Sequence, residues 1–269
     1  MIDFRNAPFP HGTARLTIAA GHDVLDALAT FGQMEDCIGC STAAAAPQWT
    51  PESSIARALD TFSPLAGHGP IIRPSSAPGG VLRRGSYWVD VDIDAGAQRL
   101  RSVKMPAALT GAQRLVAVND LRGDSDLRPT VAIGLWTLFA HPVVRAGARF
   151  AGARDGLTAE IALAVHPDRY VVIESDRKQG LTFVITSADP IATDLIILSL
   201  RQGRARVRGE GPWEDPLIQA ATELDLGART FEQIDIDAIV SPTLSSEQQE
   251  TAAQTMRIAA ELIGVGSGS

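Results

Sequence analysis

One layout recurs along the chain and limits the folds open to it. Three strand-like runs are followed by a helical run near residues 87–140, and again near 157–200. In the first set, YWVDVDI and RLRSVKM alternate apolar and polar residues, the period of a half-buried strand, and RLVAVND is denser in apolar residues. The helical run PTVAIGLWTLFA follows and is interrupted at His141-Pro142, because the residue before proline avoids helical dihedrals. In the second set, LTAEIALAV, RYVVIES and GLTFVITS read as strands joined by HPD and DRKQG. Asp189 is placed to cap, and Pro190 to open, the helix PIATDLIILSL.

The expected fold class is therefore α+β, built from two β-meander-plus-helix (βββα) units with a helical C-terminal region. Two origins fit the recurrence: the common habit of α+β chains to follow a meander with a helix, or a duplicated fold packed about a quasi-twofold axis. The expected sections are 1–76 (N-terminal strands and two helices), 77–204 (the tandem core), 205–264 (helical) and a flexible tail, 265–269.

Local signals fill in the rest. Asp23 caps a helix with Val24, Leu25, Leu28 and Phe31 on one face. Thr50 and Pro51 open a second helix, with Ile55, Leu59 and Phe62 buried. CIGCSTAAAAPQW between them reads as a loop. Asp215-Pro216 opens a helix that Gly227 closes, and FEQIDIDAIV is a strand or an extended arm. Ser246 and Gln249 form a capping box for a last helix ending at Gly264, with Ala252, Met256, Ala259 and Ile263 on one apolar stripe.

Composition narrows the function. The 269 residues carry a net charge of -7, which opposes phosphate backbones and anionic membranes, so neither nucleic acid nor a lipid surface is an expected partner. No apolar run reaches the roughly 18 residues of a membrane span. The start, MIDFRNAPFPHG, lacks the basic and apolar regions of a signal peptide, and a cytoplasmic location is expected. Cys37 and Cys40 form a lone Cys-x-x-Cys with no second pair, and the histidines at 11, 22, 68, 141 and 166 are scattered. The expectation is two reduced cysteines and no zinc. No serine-nucleophile elbow, P-loop or dinucleotide fingerprint is present.

Two features carry candidate chemistry. In a strand, Asp90, Asp92 and Asp94 share one face, neighbours about 7 Å apart, suited to presenting oxygens to Mg²⁺. With Gly79-Gly80 upstream, the stretch Asp90-Val91-Asp92-Ile93 resembles the polymerase-β type nucleotidyltransferase pattern. That resemblance implies Mg-dependent nucleotidyl transfer, with Asp120 as third carboxylate. The alternative is the hydrated outer face of a hairpin. The second feature is Arg201, Arg204, Arg206 and Arg208, just before Trp213. Arginine and tryptophan are common hot-spot residues, and the run is a candidate site for an acidic protein partner. Its alternative is a solvated connector.

The expected function is a non-enzymatic cytoplasmic binding protein: an adaptor, chaperone or assembly factor that recognises a protein partner without a cofactor. The two sheet-plus-helix halves resemble the cytoplasmic type VII secretion chaperones of actinobacteria, which implies a secretion-related role. The alternative function is the Mg-dependent enzyme.

Overall fold

The computed structural model describes residues 12–32, 42–47, 50–62, 71–72, 88–93, 97–107, 112–121, 131–135, 154–165, 167–205 and 211–265. The chain is α+β in content. Among the described residues seven strands form one sheet: β1 (Ala14–Gly21), β2 (Thr42–Ala45), β3 (Ile71–Ile72), β6 (Arg114–Leu121), β7 (Arg169–Asp176), β8 (Leu181–Ser187) and β9 (Ile234–Val240), in the order β3-β2-β6-β7-β8-β1-β9. Only β8 runs against its neighbours; the other four pairings are parallel, so the remaining six strands share one direction. The remaining strands, β4 (Trp88–Asp92) and β5 (Ser102–Pro106), make a separate antiparallel hairpin.

The sheet draws strands from all three sections expected from the sequence, so 1–76, 77–204 and 205–264 are parts of one sheet. The two three-strand sets do not become meanders. β4 and β5 leave β6 to the main sheet, and the run 157–165 is not a strand but most of helix α3 (Arg154–Leu163). The reason is topological. β6 and β7 are parallel neighbours, and parallel strands need a crossover, usually helical. The 157–165 run satisfies that demand with good helix formers, three alanines, two leucines and Glu160.

The sheet is covered on both faces, and the side-chain alternation of its strands divides the core. Leu16, Ile18, Leu115, Ala117, Tyr170, Val172, Phe183 and Ile185 pack on one face, under α3, α4 (Pro190–Ala205), α5 (Pro216–Glu223) and α6 (Ser246–Val265). Ala19, Ala44, Val116, Val118, Val171, Ile173 and Val184 pack on the other, under α1 (Val24–Ala29) and α2 (Glu52–Phe62). Helix α2 buries Ile55, Leu59 and Phe62 as its spacing predicts, and α6 buries Ala252, Met256, Ala259 and Ile263. Leu25, expected on the inner face of α1, is 53% exposed. Strand β2 lies inside the expected loop 37–49: its alanines have little strand propensity, but an interior place between β3 and β6 buries every side chain and overrides it.

Buried carboxylates tie distant segments to this frame. Asp189 caps α4 through Ala192 N–H (2.9 Å) and reaches across to Ala228 N–H (2.7 Å). Glu160 on α3, almost fully buried, accepts the N–H groups of Gln98, Arg99 and Leu100 at 2.8–3.0 Å and so fixes the turn of the β4–β5 hairpin. Asp194, inside α4, accepts the N–H groups of Val131, Ala132 and Ile133 at 2.7–2.9 Å. Asp189 and Asp194 supply acceptors to buried backbone donors, and Glu160 to part-buried ones.

Candidate partner-binding edge

The sequence-predicted acidic site is not assembled. Asp90 and Asp92 stand on the exposed face of β4, while Val91 points into the core. Asp90 lies across from Lys104 on β5, and its carboxylate takes the Lys104 ammonium at 2.9 Å. Asp120 is buried in the main sheet, in the alternate set with Val116 and Val118 that faces α1 and α2. The hairpin packs on the opposite face through Val91 and Val103, so Asp120 shares no face with Asp90 and Asp92. Gly79 and Gly80 lie outside the described residues, as do Asp94, Cys37 and Cys40. Among the described residues no group of three or more His, Cys, Asp or Glu could hold a metal ion.

The arginine run divides. Arg201 is not in a connector: it lies in α4, and its guanidinium meets Glu174 of β7 at 3.1 Å, both side chains largely buried. Arg204 also lies within α4, and Arg206 and Arg208 fall outside the described residues. Trp213 is in a 3-10 turn (Pro212–Glu214) and donates its indole N–H to the Ile263 carbonyl at 2.9 Å, which fastens that turn to α6. Arg201 and Trp213 are thus committed to holding the fold.

Among the described strands, the two edges of the sheet differ. One is β3, two residues long; short edge strands are a usual protection against stray pairing. The other is β9, seven residues long. It pairs with β1 along its whole length, Ala14 opposite Ile234 through Ala20 opposite Val240. The ladder continues with Ser241 N–H to the Ala20 carbonyl at 2.9 Å. In a parallel ladder this sets the phase: Ser241, Ile239, Asp237 and Asp235 direct their backbone groups at β1, and Ile236, Ala238 and Val240 direct theirs outward. Among the described residues no hydrogen bond reaches the N–H or C=O groups of Ile236, Ala238 or Val240 on that outer side.

Both ends of β9 are anchored. At its start, the turn Phe231–Gln233 is held by Gln233, whose carboxamide oxygen accepts Arg229 N–H (2.7 Å) and Thr230 N–H (3.3 Å). At its end, the Asp26 carboxylate of α1 accepts the Ser241 and Thr243 hydroxyls, each at 2.8 Å, and His22 N–H at 2.8 Å. Partial burial alone would raise the Asp26 carboxyl, but these hydrogen bonds outweigh it and hold its pKa below the ordinary value. Gly21 is required here, because a Cβ would lie 2.5 Å from Ala27 N and 2.8 Å from the Asp26 carboxylate.

Side chains make the two sides of the edge unlike. Ile234, Ile236 and Val240 join the core beneath α6. Asp235 and Asp237 stand on the opposite side, with Arg15 of β1 reaching Asp237 at 3.6 Å, an exposed and therefore weak pair. Among the described residues no ion pair reaches Asp235. The surrounding charge has the same sign: residues 211–265 hold ten acidic and two basic side chains, a net of -8 against -7 for the whole chain. No described helix is long and apolar enough to cross a membrane. No protein-family model, curated protein or solved structure matches the chain.

The sequence carried a trace of this edge. IDIDAIV was legible as extended, with two aspartates in alternation, but nothing in it says that the strand lies outermost.

Proposed function

We propose that the chain is a non-enzymatic cytoplasmic binding protein, of the adaptor, chaperone or assembly-factor kind, that takes a protein partner on the outer edge of β9. The observation that carries this reading is the seven-residue edge strand, anchored at both ends, with outward backbone groups at Ile236, Ala238 and Val240. Such an edge is a template for an added strand, in which main-chain hydrogen bonds supply affinity and alternate side chains supply selectivity. Its rigidity favours binding, because little order has to be imposed on this side of the interface.

The test compares the wild type with Ala238→Pro. The Ala238 N–H points outward, so proline removes a docking donor without removing a β1 ladder bond. Cross-linked complexes are isolated from the native host with both proteins, after circular dichroism has confirmed equal folding. A partner captured by the wild type and lost from the proline variant supports the reading. Identical capture by both proteins, or none by either, overturns it.

A further inference from the structure

Resting on that edge-binding reading, we infer that the occupant of the β9 edge is an extended basic segment of another protein, with lysine or arginine at alternate positions facing Asp235 and Asp237.

A strand added beside β9 places every second side chain on the Asp235 and Asp237 side of the sheet. Directly opposite residues on paired strands lie close enough for opposite charges to attract and like charges to repel. Among the described residues Arg15 is the one cation that reaches either carboxylate, and it meets Asp237, so that side carries a net negative charge and Asp235 has no ion pair there. The acidic excess of residues 211–265 extends the same field around the edge and would raise the encounter rate of a cationic segment.

A second copy of this chain fits less well. Antiparallel pairing of two β9 strands about a twofold axis through Ile236 sets Asp235 against the partner's Asp237, and Asp237 against the partner's Asp235. An axis through Asp237 sets Asp237 against itself. Either register brings like charges across the new ladder, whereas an axis through Ala238 sets Asp237 against Ile239 and Asp235 against Ser241. The carboxylates thus oppose self-pairing in the first two registers and select a basic strand.

The probes are two soluble octapeptides, one alternating threonine with lysine and the other threonine with glutamate. They are titrated against the full chain, with backbone amide resonances of Ile236, Ala238 and Val240 followed by NMR. The lysine peptide is expected to shift and protect these amides, to bind more weakly as salt rises, and to leave the Ile236 and Val240 amides unmoved in Ala238→Pro. In Asp235→Lys its affinity is expected to fall about tenfold while the glutamate peptide gains. Equal binding of both peptides to the wild type overturns the basic class while leaving edge binding intact. Failure of both peptides, with a host partner still captured in an Ala238-dependent way, overturns the inference but not the reading on which it rests. Light scattering that shows a dimer abolished by Ala238→Pro also overturns it, with the second copy as the occupant.

Discussion

Asp194→Asn tests how a buried charge is borne by this fold. Asp194 is fully buried in α4. Burial raises its pKa, the hydrogen bonds from Ile133, Ala132 and Val131 N–H offset only part of that, and the value is pushed up to about 7 from 3.8. The folded carboxyl therefore holds its proton more tightly than the unfolded one. Its contribution to stability is fully present below pH 3.8 and is lost as pH rises toward 7. The span of roughly 3 pH units corresponds to about 4 kcal/mol, of which roughly 2.5 kcal/mol is lost between pH 5 and pH 8. Asparagine stays neutral at every pH. It keeps one acceptor oxygen for Val131 and Ala132 but turns an NH₂ group toward Ile133 N–H, at a cost of about 1–3 kcal/mol. The variant should be clearly less stable than the wild type at pH 5, and the gap should shrink or vanish by pH 8. Urea unfolding of both proteins across that range measures it, with the slope of each transition checked for constancy. Curves that stay parallel from pH 5 to pH 8 would refute the reasoning, because they would mean that Asp194 is ionised throughout and that its three backbone donors fully offset burial.

Three further outcomes are expected. Gly227→Ala places a Cβ against the Asp189 carboxylate and should destabilise the fold by about 1–3 kcal/mol in chemical denaturation, since the Ala228 N–H to Asp189 bond needs that close approach. Arg201→Met removes the guanidinium from the largely buried Glu174, which keeps another interaction, and should cost about 1–3 kcal/mol, whereas a surface connector arginine would cost almost nothing in the same assay. Asp90→Asn with Asp92→Asn should change stability by no more than about 0.5 kcal/mol per site and leave partner capture intact; loss of function in a well-folded double variant would restore the acidic strand as a site.

What was readable in the sequence was local. Asp23, Asp189 and Asp215 cap the helices that follow them, because cap chemistry is settled within three or four residues. The apolar stripe of α6 is buried as its spacing predicts, although the capping pair is Ser245 with Gln248, one residue earlier than Ser246 with Gln249. The non-local parts were hidden. Nothing near Ala43 says that a run of alanines will lie between two strands, and nothing near Glu160 says that its carboxylate will hold a turn some sixty residues away. Arg201 looked like a surface charge because its partner, Glu174, is on another element. The edge position of β9 depends on β1 being its neighbour, a pairing across the length of the chain that no window of sequence contains.

The place of β1 has a consequence for the order in which the protein is made. Its neighbours in the sheet are β8 and β9, so Leu16 waits for Ser187 on one side and Ile236 on the other. At a synthesis rate of about 5–20 residues per second, the stretch from Leu16 to Ser187 takes roughly 9 to 34 s, during which a nascent apolar strand has both flanks unpaired. Hairpin β7–β8 closes over a four-residue turn, Arg177–Gly180, and can form as soon as it leaves the ribosome. Strand β1, translated ahead of both its neighbours, is thus seated late, and the growing chain passes through a long interval in which LTIAA is open to cellular folding helpers and to aggregation.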